Sequence, residues 1–307
     1  MLMKKHFLEL IRRTSSQIPP DVLSALEAAR DAEAAGSPAR SVLEDVLKNC
    51  ALAAESSRPV CQDTGTAIWM VYHPPGVSPR ALERDILWAT REATRRSYLR
   101  PNAVDAITGK NSGDNTGLGL PVLHFHEWGK KSLHADLLLK GGGSENVSAQ
   151  YSLPDSALKA GRDLEGVRRV VIDGIFKAQG QGCGPGIIGV GVGGDRATSM
   201  LEAKEQLFRL LTDRNPDPAL DGLERRLVNE LNRLGVGPMG FGGATTVLGV
   251  KIGKRHRLPA SFFVSLAYMC WACRRGSVSI VGERARFDHM SQIAARYRPD
   301  AERKRAS

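Results

Sequence analysis

Long apolar runs, cysteines and aromatic residues are all scarce in this chain, and each shortage excludes a class of protein. No stretch of eighteen uncharged apolar residues occurs. The longest candidate, residues 258–273, is interrupted by Pro259, Ser261 and Ser265, which excludes a membrane-spanning helix there. The first six residues carry charge with no apolar block or cleavage site behind them, so no secretory leader is expected. Five cysteines scattered over 307 residues are too few for a disulfide scaffold. They fit a reducing cytoplasm, where spaced thiols serve metal binding or catalysis. Aromatic residues make up 6% and do not alternate with basic ones, which argues against a base-stacking platform for single strands. What is present, 42% hydrophobic and 25% charged residues, is the composition of a folded globular chain.

The formal charge is +10, from 43 Lys and Arg against 33 acids. The excess gathers at the ends: Lys4, Lys5, Arg12 and Arg13 in front, and Arg284, Arg286, Arg296, Arg298, Arg303, Lys304 and Arg305 behind. Residues 284–307 read as a solvated basic tail, with an acidic binding partner as the alternative. Neither nucleic acid nor a membrane is an expected partner.

Pattern and punctuation predict an α/β chain: a helical N-terminal segment over 1–55, then a single mixed helix-and-sheet domain over 56–283. Helices are expected over 21–35 and 41–54 from apolar spacing. A third is expected over 79–95, opened by Ser78 as N-cap with Pro79 at the first helical position. Further helices are expected at 164–178, at 196–211 behind Asp195, and at 218–234 with Gly235 as stop. Strands are expected at 121–126 and 133–139, joined as a hairpin across Trp128-Gly129, and at 186–192, 244–252 and 277–281. The strand order is not readable, and no internal repeat is present.

Six or more loops are unusually dense in glycine and polar residues. They include Pro59-Val-Cys-Gln-Asp-Thr-Gly65, Leu99-Arg-Pro-Asn102, Asn111-Ser-Gly-Asp-Asn-Thr-Gly117 and Lys140-Gly-Gly-Gly-Ser-Glu-Asn146. Later in the chain come Gly182-Cys-Gly-Pro-Gly186, Gly237-Pro-Met-Gly-Phe-Gly-Gly243 and Tyr268-Met-Cys-Trp-Ala-Cys-Arg-Arg-Gly276. Packing alone does not need so many, and glycine lets backbone approach a ligand closely. Together these segments, from Pro59 to Gly276, resemble the class I, iron–sulfur-dependent fumarate hydratases and the related L(+)-tartrate dehydratase α subunits.

The resemblance implies a [4Fe–4S] hydro-lyase that adds water to a C4 dicarboxylate or removes it. The cluster ligands it implies are Cys61, Cys183 and Cys270; three thiolates leave one iron with an open position for Lewis-acid work. It implies Asp63 as the acid that protonates the departing hydroxyl, with Gln62, Asp63, Arg100 and Gly142 on the substrate. Fumarate and malate are favoured over tartrate and oxaloacetate. The chain stops where an α subunit of the family stops. The expected assembly is therefore a hetero-oligomer with a β subunit that carries the C-terminal fumarase domain, its catalytic base and further cations.

Plainer roles stand beside each of these. Asp63 would equally make a local turn before Thr64-Gly65, Arg100 a surface ion pair, and the Gly141–Gly143 run an ordinary loop rather than an anion nest. Asn111 and Thr116 could contact a ligand or merely order their loop. Cys273 forms a CxxC with Cys270 but lacks the second pair that zinc needs, and Cys50 reads as core. His124, His126 and His134 read as ordinary strand residues. Gly189-Val-Gly-Val-Gly-Gly194, with Asp213 about twenty residues on, mimics a dinucleotide-binding fingerprint and makes a nicotinamide-type oxidoreductase the rival enzyme class. A cluster-bearing sensor of nucleic acid is the non-enzymatic rival.

Overall fold

The computed structural model describes residues 3–297. In chain order the helices are α1 (Met3–Ser16), α2 (Pro20–Ala32), α3 (Pro38–Ser56), α4 (Pro79–Arg95), α5 (Gly142–Asn146), α6 (Leu164–Ala178), α7 (Arg196–Gln206), α8 (Pro218–Asn232) and α9 (Gln292–Ala295). The strands are β1 (Thr66–His73), β2 (Val122–Glu127), β3 (Leu133–Lys140), β4 (Ala149–Ser152), β5 (Gly186–Val192), β6 (Val247–Lys254), β7 (Phe263–Met269), β8 (Arg274–Val281) and β9 (Arg284–Asp288). The mixed α/β character is as expected. The chain divides into two compact units, each assembled from separated segments. The first takes the chain up to Pro19, Lys48–Gly142 and Ala272–Ser291; the second takes Pro20–Leu47, Gly143–Trp271 and the segment from Gln292.

The first unit is a five-stranded sheet in the order β2-β1-β3-β8-β9. β1 runs parallel to β2, and the other neighbours are antiparallel. β1 has an almost unbroken apolar sequence because both of its faces are covered. On one face Trp69, Val71, Ala135, Leu137, Val278 and Ile280 pack with Phe7, Leu10 and Ile11 of α1 and Leu82, Ile86 and Ala89 of α4. Phe7 meets Trp69 edge-on, with ring centroids 5.5 Å apart.

The expected hairpin between β2 and β3 does not form. β1 lies between them, paired to both, because its continuous apolar run can be buried only as a central strand. α4 has the expected bounds, but the Ser78 side chain makes no capping bond; Pro79, which needs no donor satisfied, opens the helix instead. The expected tail is part of the fold at its start: β9 pairs with β8 and extends the sheet. Arg298, Arg303, Lys304 and Arg305 lie outside the described residues. In α1, Arg12 and Arg13 pair with Glu9, and Lys4 lies over the Trp88 ring.

The second unit is a four-stranded sheet, β4-β7-β5-β6, over a core that includes Val167, Val171 and Ile175 of α6 and Leu223, Leu227 and Leu231 of α8. Asp163 caps α6 through the Gly166 N–H, and Asp195 with Thr198 closes a capping box on α7. α7 ends five residues before the expected Leu211, because the chain tightens into i→i−3 turns that bury Phe208 and Arg209. β6 begins later than expected. The N–H groups of Ala244 and Thr245 are taken by the Glu33 carboxylate, and those of Thr246 and Val247 by Asn232 Oδ1. The apolar run at 258–273 contains β7, and among the described residues no helix is long and apolar enough to cross a membrane.

Candidate functional site

In the first unit, three loops close around Asp63. The chain bends at Val60–Gln62, and Asp63 is aimed by its own turn. Its Oδ1 accepts the Gly65 N–H at 3.0 Å, the local turn the sequence allowed, and its Oδ2 accepts the Gly142 N–H at 2.7 Å. The Gly142 amide, expected to face an anionic ligand, is thus engaged by Asp63. Gly65 has φ +81°, and a Cβ there would sit 2.6 Å from the Lys140 carbonyl carbon, so only glycine lets the two loops touch.

A second tether joins this loop to residues 99–103. Thr64, 1% exposed, accepts through Oγ1 from the Arg100 N–H (3.3 Å) and from Asn102 Nδ2 (3.4 Å). The Arg100 guanidinium donates to Gln62 Oε1 at 3.3 Å, and both side chains are exposed. Asn115 organises the segment from below, in the left-handed region at φ 61°. Its Oδ1 takes the N–H groups of Asn102 and Ala103, and its Nδ2 donates to the Arg100 carbonyl and to Thr94 Oγ1. Asp63, Gly65, Leu99, Asn102, Asn115 and Gly142 line a cavity of about 240 Å³. That is smaller than the roughly 300–1,000 Å³ of drug-sized sites and suits a small metabolite.

Beneath the cavity wall, Arg274 Nη1 donates to the Asp63 carbonyl at 2.7 Å. Arg274, Asn115, Asn102 and Thr64 are the organising residues that sequence reasoning did not single out, although the loops it quoted contain all four. Asn111 and Thr116 order their own loop, through the Pro101 carbonyl and Gly113 N–H and through Asp114. His134 is buried between Asp136 (2.6 Å) and Ser279 (2.8 Å), and His126 stacks on Tyr72.

The cysteines are all free thiols. Cys61 is half-buried on the Asp63 loop of the first unit. In the second unit the Trp271 N–H donates to the Cys183 carbonyl at 3.1 Å, which brings the Cys183 loop beside Cys270. Tyr268 lies under both: Gly182 and Gly186 rest on its ring, where a Cβ would come within 2.5 Å. Burial raises the Tyr268 phenol above the usual tyrosine range, and the nearby charges of Cys270 and Cys183 raise it further. Among the described residues no three His, Cys, Asp or Glu side chains converge on a single ion. Cys61 and Cys183 are partly accessible, and Cys270 is buried. Cys273 is buried and accepts from Arg275, and Cys50 is core.

The glycine motif at 189–194 has a packing explanation. A Cβ on Gly189 or Gly191 would meet the Ala203 or Ser199 carbonyl of α7 at 2.0 or 2.1 Å, so these glycines let helix and strand touch. Asp213 is held in buried ion pairs with Arg209 and Lys251.

The profile of the fumarate hydratase (Fumerase) family matches residues 4–279. A protein of Geobacillus stearothermophilus named as a class I fumarate hydratase is 48% identical over 275 residues, 89% of this chain and 54% of that relative. Proteins named as L(+)-tartrate dehydratase subunit alpha are 33% identical in Methanocaldococcus jannaschii and 31% in Escherichia coli. Each alignment covers 87% of this chain, and 94% and 86% of the respective relative. The chain thus spans about half the length of the Geobacillus relative and most of the length of the other two. On this evidence it belongs to the fumarate hydratase (Fumerase) family.

Proposed function

We propose that this chain is the cluster-binding α component of a hydro-lyase that interconverts fumarate and malate. The observation that carries the reading is the seating of Asp63: a carboxylate held by two backbone amides at the wall of a small cavity, two residues from Cys61, with Arg100 at the neighbouring loop. Cys61, Cys183 and Cys270 would hold a [4Fe–4S] cluster, which when bound supplies a Lewis acid for the substrate hydroxyl.

The chain's own residues carry the remaining work. Arg100 presents a planar fork to one carboxylate of the diacid, and Gln62 is hydrogen-bonded to that fork, so the two move as a pair. Asp63 gives its proton to the departing hydroxyl in dehydration and takes it back from water in hydration. The base for the carbon-bound proton is assigned to a second polypeptide or domain. The unmatched part of the Geobacillus relative, of which the alignment covers only 54%, and the subunit names of the tartrate dehydratases support this assignment. The free thiols support a reducing cytoplasm as the compartment.

The higher identity to the relative named as a fumarate hydratase favours fumarate and malate over tartrate. The test is anaerobic reconstitution followed by iron and sulfide analysis, then turnover of malate and L(+)-tartrate by the chain alone and with its companion. Turnover of malate that needs the companion is expected. A protein that takes up no iron, or that dehydrates only tartrate, overturns the reading or its substrate.

A further inference from the structure

Arg274 is an anomaly in the first unit: its side chain is fully buried, yet it forms no ion pair among the described residues. Its one hydrogen bond runs from Nη1 to the Asp63 carbonyl at 2.7 Å, and its Nε has no acceptor. A guanidinium taken out of water without a carboxylate is costly, so a fold retains it only where it does something packing cannot. Its surroundings say what. A Cβ on Gly141 would lie 3.0 Å from the Asp63 carboxylate and 3.5 Å from Arg274 Nη2, so carboxylate and guanidinium both lie against the same glycine. The next amide along, that of Gly142, is the one donated to Asp63 Oδ2.

We propose that Arg274 is the positioning residue of the site: by holding the Asp63 peptide carbonyl against the Gly141–Gly142 turn, it fixes where the Asp63 carboxyl points. This rests on Asp63 being the acid of the reaction, so the experiment has one arm that needs no reaction at all.

That arm is amide hydrogen exchange on the full chain, wild type against Arg274→Gln. The Gly142 and Gly65 amides, both donated to Asp63, are expected to exchange about tenfold faster in the variant, with the β3 amides unchanged. In the turnover arm, kcat is expected to fall on the order of 100-fold while KM stays within about threefold, the signature of a misplaced group rather than a lost binding contact. Arg274→Lys, which keeps the charge but not the fork, is expected to lie between the two. Unchanged exchange at Gly142 overturns the proposal, as does uniform acceleration along the chain. Should Arg274→Gln not fold, wild-type exchange in Arg274→Lys overturns it too. A wild type that stays inactive even with its companion, yet still shows the local exchange effect, refutes the hydratase reading and leaves the clamp standing.

Discussion

Asp63 Oδ2 and the Gly142 backbone N–H meet at 2.7 Å across 79 positions of sequence. That bond seats a side chain of the Cys61 loop on the turn that ends β3. Replacing Asp63 by Asn keeps the shape and removes the proton, but the amide nitrogen cannot accept, so one of the two backbone N–H bonds is given up. The expected loss in kcat is about 10²–10⁴-fold, with KM for malate and iron content close to wild type. Steady-state kinetics beside iron analysis checks this; an Asn variant within tenfold of wild type sinks the acid role.

Arg100→Lys tests the carboxylate contact. An ammonium cannot reproduce a two-pronged bond, so KM is expected to rise about tenfold to a hundredfold with a smaller change in kcat. An unchanged KM would mean that Arg100 only braces Gln62.

Gly65→Ala tests the seat of the loop. It forces a Cβ against the Lys140 backbone and a side chain into φ +81°. The combination is expected to cost about 2–4 kcal/mol. Urea unfolding measures it; a loss below about 0.5 kcal/mol would show that the loops separate easily.

The Cys50 thiol, pushed by burial from 9.0 up to about 11, gives a prediction at alkaline pH. Between those values the unfolded chain releases the proton that the folded chain keeps, so this group makes stability fall as pH rises through the window. Chemical denaturation of wild type and Cys50→Ala at pH 8 and pH 10.5 checks it. The expected result is a shallower decline in the variant, and parallel declines would count against it.

Local signals were legible in the sequence and long-range ones were not. α4 and α6 fell within their expected bounds because proline, an Asp cap and four-residue apolar spacing are all written nearby. β1 went unread, since a continuous apolar strand has no periodicity, and without it β2 and β3 looked like partners. The loops bearing Cys61, Asp63 and Arg100 were found from their composition and resemblance. The parts played by Asn115 and Arg274 were hidden for different reasons. An asparagine that ties four groups together reads like any loop asparagine, and arginine is expected at the surface.

The first sheet places β8 directly against β3, though more than 130 residues separate them in sequence. While the protein is being synthesised, β1, β2 and β3 leave the ribosome long before the strand that covers β3 exists, and the Gly143–Trp271 segment of the second unit must be made in between. Until then the nascent chain carries a bare, apolar sheet margin, which is the form in which it is most exposed to chaperone capture and to sticking to its own copies. Shortening the gene from its 3′ end into β8 would make that passing vulnerability permanent.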